Sequence, residues 1–162
     1  MQPENKFINL VKHPFKFSMY LFYNLPAAFF SGIKIREYTQ DKCVTSVPHK
    51  WLTQNPFRST YFASLAMAAE MSTGALALSN IYKKEPAISM LVTAMEANYF
   101  KKAVGITYFT CEDGPQITNA VNQASSSMDG KTIKVKTIGK NKDGDLIAEF
   151  LFTWSFKSKV RG

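Results

Sequence analysis

Apolar residues occupy every side of the stretch from Ser59 to Asn80, which carries a single charged side chain, Glu70. Its Ala, Leu and Met residues are strong helix formers, and a helix without a polar face is typical of one enclosed by its own protein. We therefore predict one long buried helix with a sheet around it. Pro56 ends the element before it, and the pair Ser59 and Thr60 supplies the expected N-cap.

Two residues stand out within this predicted helix. Gly74 costs about 1 kcal/mol relative to Ala unless close packing requires it, so we expect a strand to contact the helix there. Glu70 is a carboxylic acid in apolar surroundings, where the charged form is costly unless it is paired or hydrogen-bonded. Two interpretations stay open: Glu70 reaches a solvent edge or a lysine, or its environment prepares it for chemistry.

Short helices are predicted before the long one. Apolar residues between Phe7 and Tyr23 recur at helical spacing and Pro14 forces a break, so two short helices are expected there. Pro26 suits the start of a third helix and Gly32 its end. We assign residues 1–31 to an N-terminal helical extension and residues 32–159 to the core.

Alternating or β-branched apolar residues predict six strands. Pro48 places part of the second strand at an edge or a bulge, and a short amphipathic helix from Gln116 to Met128 follows the fourth. The predicted strands are Ile33–Thr39, Cys43–Trp51, Ile88–Tyr99, Ile106–Cys111, Lys131–Gly139 and Leu146–Lys157. The expected fold class is α+β in a single domain, 1–162, because 162 residues suffice for one core.

The charge of the chain favours an anionic partner. It carries a formal net charge of +8, but its lysines are scattered rather than collected in a run. Nucleic acid, an anionic membrane surface and a phosphate-bearing molecule all fit this charge equally well at this stage.

Cysteine usage and the chain start indicate a cytoplasmic protein. Cys43 and Cys111 are the two cysteines, and their spacing fits neither a metal site nor a disulfide framework. The first residues lack the pattern of a cleavable signal. The aromatic stretch from Phe15 to Gly32 is interrupted by Lys16 and Pro26, so we expect no membrane span there.

The order of the predicted elements, a hairpin, one long helix and then antiparallel strands, resembles the hotdog fold. Hotdog acyl-CoA thioesterases of the phenylacetyl-CoA type carry the pattern AsnxxGlyxxHisGlyGly before the helix, with an acid nine residues after the His. In that register Asn55 stands at the Asn position and Glu70 at the acid. Arg58 stands at the first Gly, Tyr61 at the His, and Phe62 and Ala63 at the Gly pair.

A second stretch supports the resemblance. Glu96 to Gly105 is similar to the strand end IleAsnPheLeuArgProAla of the family, with Lys102 at the usual proline. The stretch from Tyr61 to Glu70 is similar to that of an uncharacterised branch, a domain of unknown function, that carries Tyr in place of His and Glu on the helix. The resemblance covers roughly residues 33–157.

The resemblance implies a thioesterase site at the interface of a homodimer, or of a tetramer built from dimers. Glu70 would act as general base or nucleophile, and Asn55 would orient water or substrate. Backbone amides from Thr60, Tyr61, Phe62 and Ala63 would bind the oxyanion. Arg58, Lys101 and Lys102 would meet the phosphates of coenzyme A, which enters as part of the substrate, so neither a further cofactor nor nucleic acid is expected.

Alternatives remain for these assignments. A non-catalytic acyl-CoA or fatty-acid binder would share the fold. Asn55 fits a loop residue that bonds its own backbone, Tyr61 fits a packing residue, and Lys102 fits a solvated turn. The aromatics from Phe15 to Phe30 fit a membrane-surface contact, but we favour packing against the sheet or over one mouth of the acyl pocket.

Overall fold

Helices and strands follow one another in the order that the hydrophobic pattern predicts. The computed structural model describes residues 6–127 and 129–159. Predictions for residues 1–5, Met128 and residues 160–162 lie outside the described residues. The helices are α1 Lys6–Val11, α2 Pro14–Asn24, α3 Pro26–Ser31, α4 Phe62–Ile81 and α5 Gly114–Ser126; the strands are β1 Lys34–Tyr38, β2 Cys43–Pro48, β3 Ile88–Tyr99, β4 Ile106–Cys111, β5 Lys131–Asn141 and β6 Leu146–Ser158.

The three N-terminal helices are divided where the sequence predicts. Pro14 and Pro26 each occupy the first turn of a helix, where the missing N–H costs no intrahelical hydrogen bond. Gly32 closes α3 with a left-handed backbone, φ 76°, which a residue without Cβ adopts at little cost.

All six strands form one antiparallel sheet in the order β1-β2-β4-β5-β6-β3. Register shifts interrupt the pairing of β1 with β2, β3 with β6 and β5 with β6. Such shifts bend strands, and the sheet curves around α4. Strands β1 and β3 form the two edges of the sheet.

Helix α4 lies in the curve of the sheet. Ala68 and Leu76 are fully buried, and the Thr45 hydroxyl on β2 donates to the Ala68 carbonyl at 2.6 Å. In the described part of the chain, α4 alone is long and apolar enough to cross a membrane, but 61% of its apolar window is buried within the protein. The predicted core helix is therefore confirmed.

Several predicted boundaries are wrong by one to three residues, including the start of α4, the end of β2 and the start of α5. The long helix begins at Phe62 with Tyr61 as N-cap, since Thr60 is held by a bridge to Gln54 and cannot cap a helix. The second strand ends at Pro48, because a 3₁₀ turn over Trp51–Thr53 follows. Helix α5 begins at Gly114 rather than Gln116.

Candidate active site

Glu70 borders a small apolar cavity between α4 and the N-terminal helices. The cavity measures about 110 Å³. Within the described residues, the Glu70 carboxylate makes neither an ion pair nor a side-chain hydrogen bond. Burial raises its pKa from 4.5 to about 7. The lining residues are Phe7, Phe17, Tyr20, Leu25, Glu70, Met71, Gly74, Ala75, Leu78 and Met90.

A larger cleft opens at the N-terminus of α4, with a volume of about 590 Å³. It brings together six of the residues selected from the sequence. They are Asn55, Thr60, Tyr61, Phe62, Lys101 and Lys102. Arg58 and Ala63 do not line this cleft.

Aromatic residues that the sequence analysis did not select complete the cleft. Phe57, Tyr99 and Phe100 line it, and all three are exposed. Tyr99 and Phe100 directly precede Lys101 and Lys102 at the end of β3. This aromatic pair beside a lysine pair is the sequence signal from which the aromatic lining could have been predicted.

Asn55 shapes the loop that leads into α4. Its Oδ1 accepts hydrogen bonds from the Phe57 amide at 2.9 Å and the Ser59 amide at 3.2 Å. The Ser59 hydroxyl donates to the same oxygen at 3.2 Å. The Asn55 Nδ2 makes no hydrogen bond among the residues that are described, so this donor is free to face a ligand.

Two of the four candidate oxyanion donors are occupied. The Thr60 amide donates to the Ala103 carbonyl at 2.8 Å, and the Tyr61 amide donates to the Thr53 carbonyl at 2.7 Å. The amides of Phe62 and Ala63, the first two of the helix, find no acceptor in residues 6–127 or 129–159. These two amides are the donors that a ligand oxygen would meet.

The three cations proposed for phosphate contact differ in their surroundings. Lys101 forms an ion pair with Asp145 at 2.5 Å, which lowers the pKa of that carboxyl. Lys102 is exposed in the cleft and has no acidic partner in the described chain. Arg58 adopts a left-handed backbone, φ 57°, the conformation that favours glycine.

The structure does not place Glu70 beside the start of α4. Eight residues separate Phe62 from Glu70, which corresponds to about 12 Å along a helix axis. Within one chain, Glu70 and Phe62 therefore line different cavities.

No cluster of metal-ligating side chains accompanies either cavity. The described residues contain no group of three or more His, Cys, Asp or Glu side chains able to hold a metal ion. Cys43 and Cys111 are free, buried and opposite each other on β2 and β4. Burial raises the pKa of Cys111 to about 12, which leaves its thiol protonated and unreactive.

Comparison with solved structures identifies this architecture as the hotdog fold of thioesterases. PA5026 of Pseudomonas aeruginosa, a protein of unknown function described as a probable thioesterase, superposes with a TM-score of 0.75 at 18% identity, over 91% of this chain and 97% of that one. The E. coli PaaI protein from the phenylacetic acid degradation operon superposes with a TM-score of 0.62 at 12% identity, over 90% and 91% of the two chains. Thioesterase HI1161 of Haemophilus influenzae superposes with a TM-score of 0.66 at 13% identity, over 92% of this chain and 93% of that one.

The family itself follows from the sequence. The family described as a domain of unknown function, DUF4442, matches residues 16–156, and the chain belongs to it. No match was found among curated proteins. The resemblance to the uncharacterised branch of hotdog proteins is thereby confirmed.

Proposed function

We propose that this protein hydrolyses an acyl thioester, with an acyl-CoA as substrate and Glu70 as the acid that activates the attack. The observation that carries the proposal is the unpaired Glu70 carboxylate in an apolar cavity, with its pKa raised to about 7. A carboxylate with that pKa takes a proton from water near neutral pH more effectively than an ordinary glutamate. The thioesterase names of several structures with this fold support the reaction class.

The chemistry divides between the two cavities. In a general-base route, Glu70 removes a proton from water as the water attacks the thioester carbonyl, and it returns that proton to the departing thiolate. The amides of Phe62 and Ala63 donate to the oxyanion. If Glu70 instead acts as nucleophile and forms a transient anhydride, the reaction still depends on Glu70 and on the same two amides.

The separation of Glu70 from those amides requires a second copy of the chain. Strand β3 is an edge strand, and Met90 near its start lines the Glu70 cavity while Tyr99 at its end lines the cleft. Two β3 strands that pair antiparallel about a two-fold axis bring the Met90 end of one beside the Tyr99 end of the other. A homodimer thus joins the Glu70 of one copy to the helix start of the other.

Exposed apolar side chains on β3 support this pairing. Met95 and Tyr99 lie opposite Phe152 and Ala148 of β6, which are buried on the face that carries α4. Both are nevertheless close to half exposed, at 46% and 47%. An apolar edge of this kind is a template for another strand. A tetramer would join two such dimers.

Coenzyme A fits the mouth of the cleft. Lys102 supplies an unpaired cation for a phosphate, and Lys101 supplies a second if the ligand displaces Asp145. Phe57 and Tyr99 offer flat surfaces for the adenine or the pantetheine arm. Coenzyme A arrives with the acyl group, so the proposal includes neither a resident cofactor nor nucleic acid, and it places the reaction in the cytoplasm.

The test is hydrolysis of a panel of acyl-CoA thioesters by the wild-type chain, followed through thiol release. We expect Glu70→Gln to abolish turnover while the protein stays folded. Glu112→Gln, at an exposed carboxylate, is the matched control and should keep full activity. A wild-type chain that releases no thiol above buffer from any substrate would refute hydrolysis.

A non-catalytic acyl binder is the second candidate, and the side chain of Phe62 favours it. Phe62 stands where the family pattern has glycine, and this half-exposed residue lines the cleft. A ring at this position restricts how closely a carbonyl approaches. Acyl-CoA that binds or copurifies without turnover would establish this function instead.

A further inference from the structure

Helix α2 has an apolar face that the described part of the chain leaves uncovered. Phe15, Met19, Phe22 and Tyr23 follow the spacing i, i+4, i+7 and i+8, which places them on one side of the helix. The ring of Phe15 is 76% exposed and that of Tyr23 74%. The buried residues of α2, Phe17 and Leu21, lie on the opposite side. Packing against the sheet, one of the two favoured expectations for the aromatics from Phe15 to Phe30, is therefore wrong for this face.

Ring contacts extend the exposed face onto α3. Phe22 contacts Tyr23 and Phe29, each with ring centroids 5.2 Å apart. Phe30 lies 5.3 Å from Phe29 and is 52% exposed. These edge-to-face contacts hold the rings in place before any partner binds. We call Phe15, Met19, Phe22, Tyr23 and Phe30 the aromatic patch.

The segment that carries the aromatic patch contains cations but no acids. The sequence from residue 6 to residue 36 carries five cations and no Asp or Glu. The cations are Lys6, Lys12, Lys16, Lys34 and Arg36, and all are exposed. A groove of about 600 Å³ is lined by Phe15 and Phe29 together with Lys34 and Arg36, so aromatic and cationic side chains border one surface.

We infer that the aromatic patch docks the protein on an anionic lipid surface. Aromatic rings enter the boundary between headgroups and acyl chains, while lysines at the same level meet lipid phosphates. A second copy of the chain is a poorer partner, because two segments that each carry five cations and no acid repel one another. The net charge of +8 on the whole chain also favours an anionic surface over a second copy of the chain.

The patch is separate from the candidate active site. Phe15, Tyr23 and Phe30 do not line the Glu70 cavity, whereas Phe17 and Tyr20 on the other side of α2 do. One side of the N-terminal helices therefore closes the cavity and the other faces outward. Lipid docking and thioester hydrolysis can fail independently of each other.

Flotation with lipid vesicles tests the inference. We expect the wild-type chain to float with vesicles of phosphatidylcholine and phosphatidylglycerol, and weakly with phosphatidylcholine alone. The triple variant Phe15→Ser, Tyr23→Ser, Phe30→Ser should lose at least about tenfold in partition, because binding follows the apolar area inserted. Lys12→Gln with Lys16→Gln should lose about twenty-five-fold in partition, at about fivefold for each cation.

Matched variants control for surface changes elsewhere. Trp51→Ser removes an aromatic that is 78% exposed outside the patch, and Lys140→Gln with Lys142→Gln removes two exposed cations at the far hairpin. Both should float like the wild type. Acyl-CoA hydrolysis in solution, if present, should be unchanged in the triple variant.

Three outcomes would overturn the inference. They are a wild-type chain that binds neither kind of vesicle, equal binding to both kinds, and a triple variant that floats like the wild type. A triple variant that changes the number of chains per particle in light scattering, without changing vesicle binding, would assign the patch to contact between copies instead.

Discussion

The Glu70 carboxylate lies directly over Gly74, one turn along α4. A Cβ added at Gly74 would stand 2.9 Å from Glu70 Oε1 and 3.4 Å from Cζ2 of Trp154. Glycine at this position therefore leaves the space that the carboxylate occupies in its apolar cavity. The close contact with a strand that the sequence predicts at Gly74 is the Trp154 ring on β6, and the contact with Glu70 is additional.

Gly74→Ala should separate stability from activity. Ala favours the helix by about 1 kcal/mol, and the atom that it displaces first is the flexible end of Glu70 rather than backbone. We expect the free energy of unfolding to change by less than about 1 kcal/mol, while thioester hydrolysis falls at least about tenfold because the carboxylate is displaced. Urea unfolding and thiol release measure the two.

Gly105→Ala is the control for Gly74→Ala, since a Cβ at Gly105 meets no atom within 4 Å. It should keep both stability and hydrolysis. Full activity in Gly74→Ala would show that the position of the Glu70 carboxylate does not matter for turnover.

The raised pKa of Glu70 predicts how stability depends on pH. Burial raises this pKa from 4.5 to about 7, so the folded chain holds the proton more tightly than the unfolded chain does. The contribution of Glu70 is therefore most favourable below about pH 4.5 and is lost as pH rises to about 7, by up to about 3 kcal/mol. Glu70→Gln should be more stable than the wild type at pH 8 and equal to it at pH 4.5.

Urea unfolding at fixed protein concentration across this pH range checks the prediction. The free energy of unfolding of Glu112→Gln should change with pH in the same way as that of the wild type. If the free energy of unfolding of Glu70→Gln also changes in that way, the Glu70 pKa is ordinary in the folded protein. In the same range hydrolysis should increase with pH up to about 7, because the general base must be deprotonated.

The fold was predictable because most of its signals are local. Pro14, Pro26 and Gly32 divide the N-terminal helices through fixed or left-handed backbone angles, and β3 and β4 have the predicted bounds. The start of α4 was misplaced because Thr60 has the chemistry of an N-cap but donates to Ala103, far away along the chain. A tertiary hydrogen bond of this kind leaves no mark in the local pattern.

The site was predictable only in part, for a related reason. The sequence singled out Glu70 as the one charge on a buried helix, and its surroundings raise its pKa as expected. Asn55 accepts hydrogen bonds from the loop backbone, and the Tyr61 amide donates to the Thr53 carbonyl. Both contacts depend on how the loop folds back. An outward face on α2 was considered from the sequence but not favoured, because Phe15 and Phe17 are the same residue type and differ only in which side of the helix is covered.

Trp154 depends on a threonine of α4 for its hydrogen bond. Its indole N–H donates to Thr73 Oγ1 at 3.0 Å in the buried core. Thr73→Val keeps the shape but leaves that donor unsatisfied, so it should lower the free energy of unfolding by about 2 kcal/mol. Thr73→Ser keeps the hydroxyl and should cost about 1 kcal/mol. Equal losses in the two variants would show that the hydrogen bond contributes nothing.

Met95→Lys tests the proposed pairing of two β3 edges. The side chain is 46% exposed on the edge strand, so Lys is tolerated in one chain alone but places two like charges together in a dimer. We expect light scattering to report one chain per particle for Met95→Lys and two for the wild type, with hydrolysis lost together with the dimer. Val104→Lys, at an exposed apolar residue outside the strands, should leave the dimer intact. A Met95→Lys protein that remains dimeric would rule out this edge as the interface.

Arg58 holds a backbone conformation that its side chain disfavours, at the position where the family pattern has glycine. Its φ of 57° places Cβ close to the following carbonyl, which costs about 1 to 2 kcal/mol for a residue other than glycine. Relief of this strain should make Arg58→Gly more stable than Arg58→Ala. We expect a difference of about 1 kcal/mol in the free energy of unfolding, because the larger freedom of glycine in the unfolded chain offsets part of the strain relief. Both variants lose the guanidinium, so urea unfolding of the two isolates the backbone effect. If Arg58 also contacts the phosphates of coenzyme A, both should raise the KM for acyl-CoA equally, whereas a KM that changes in neither would remove Arg58 from the substrate site.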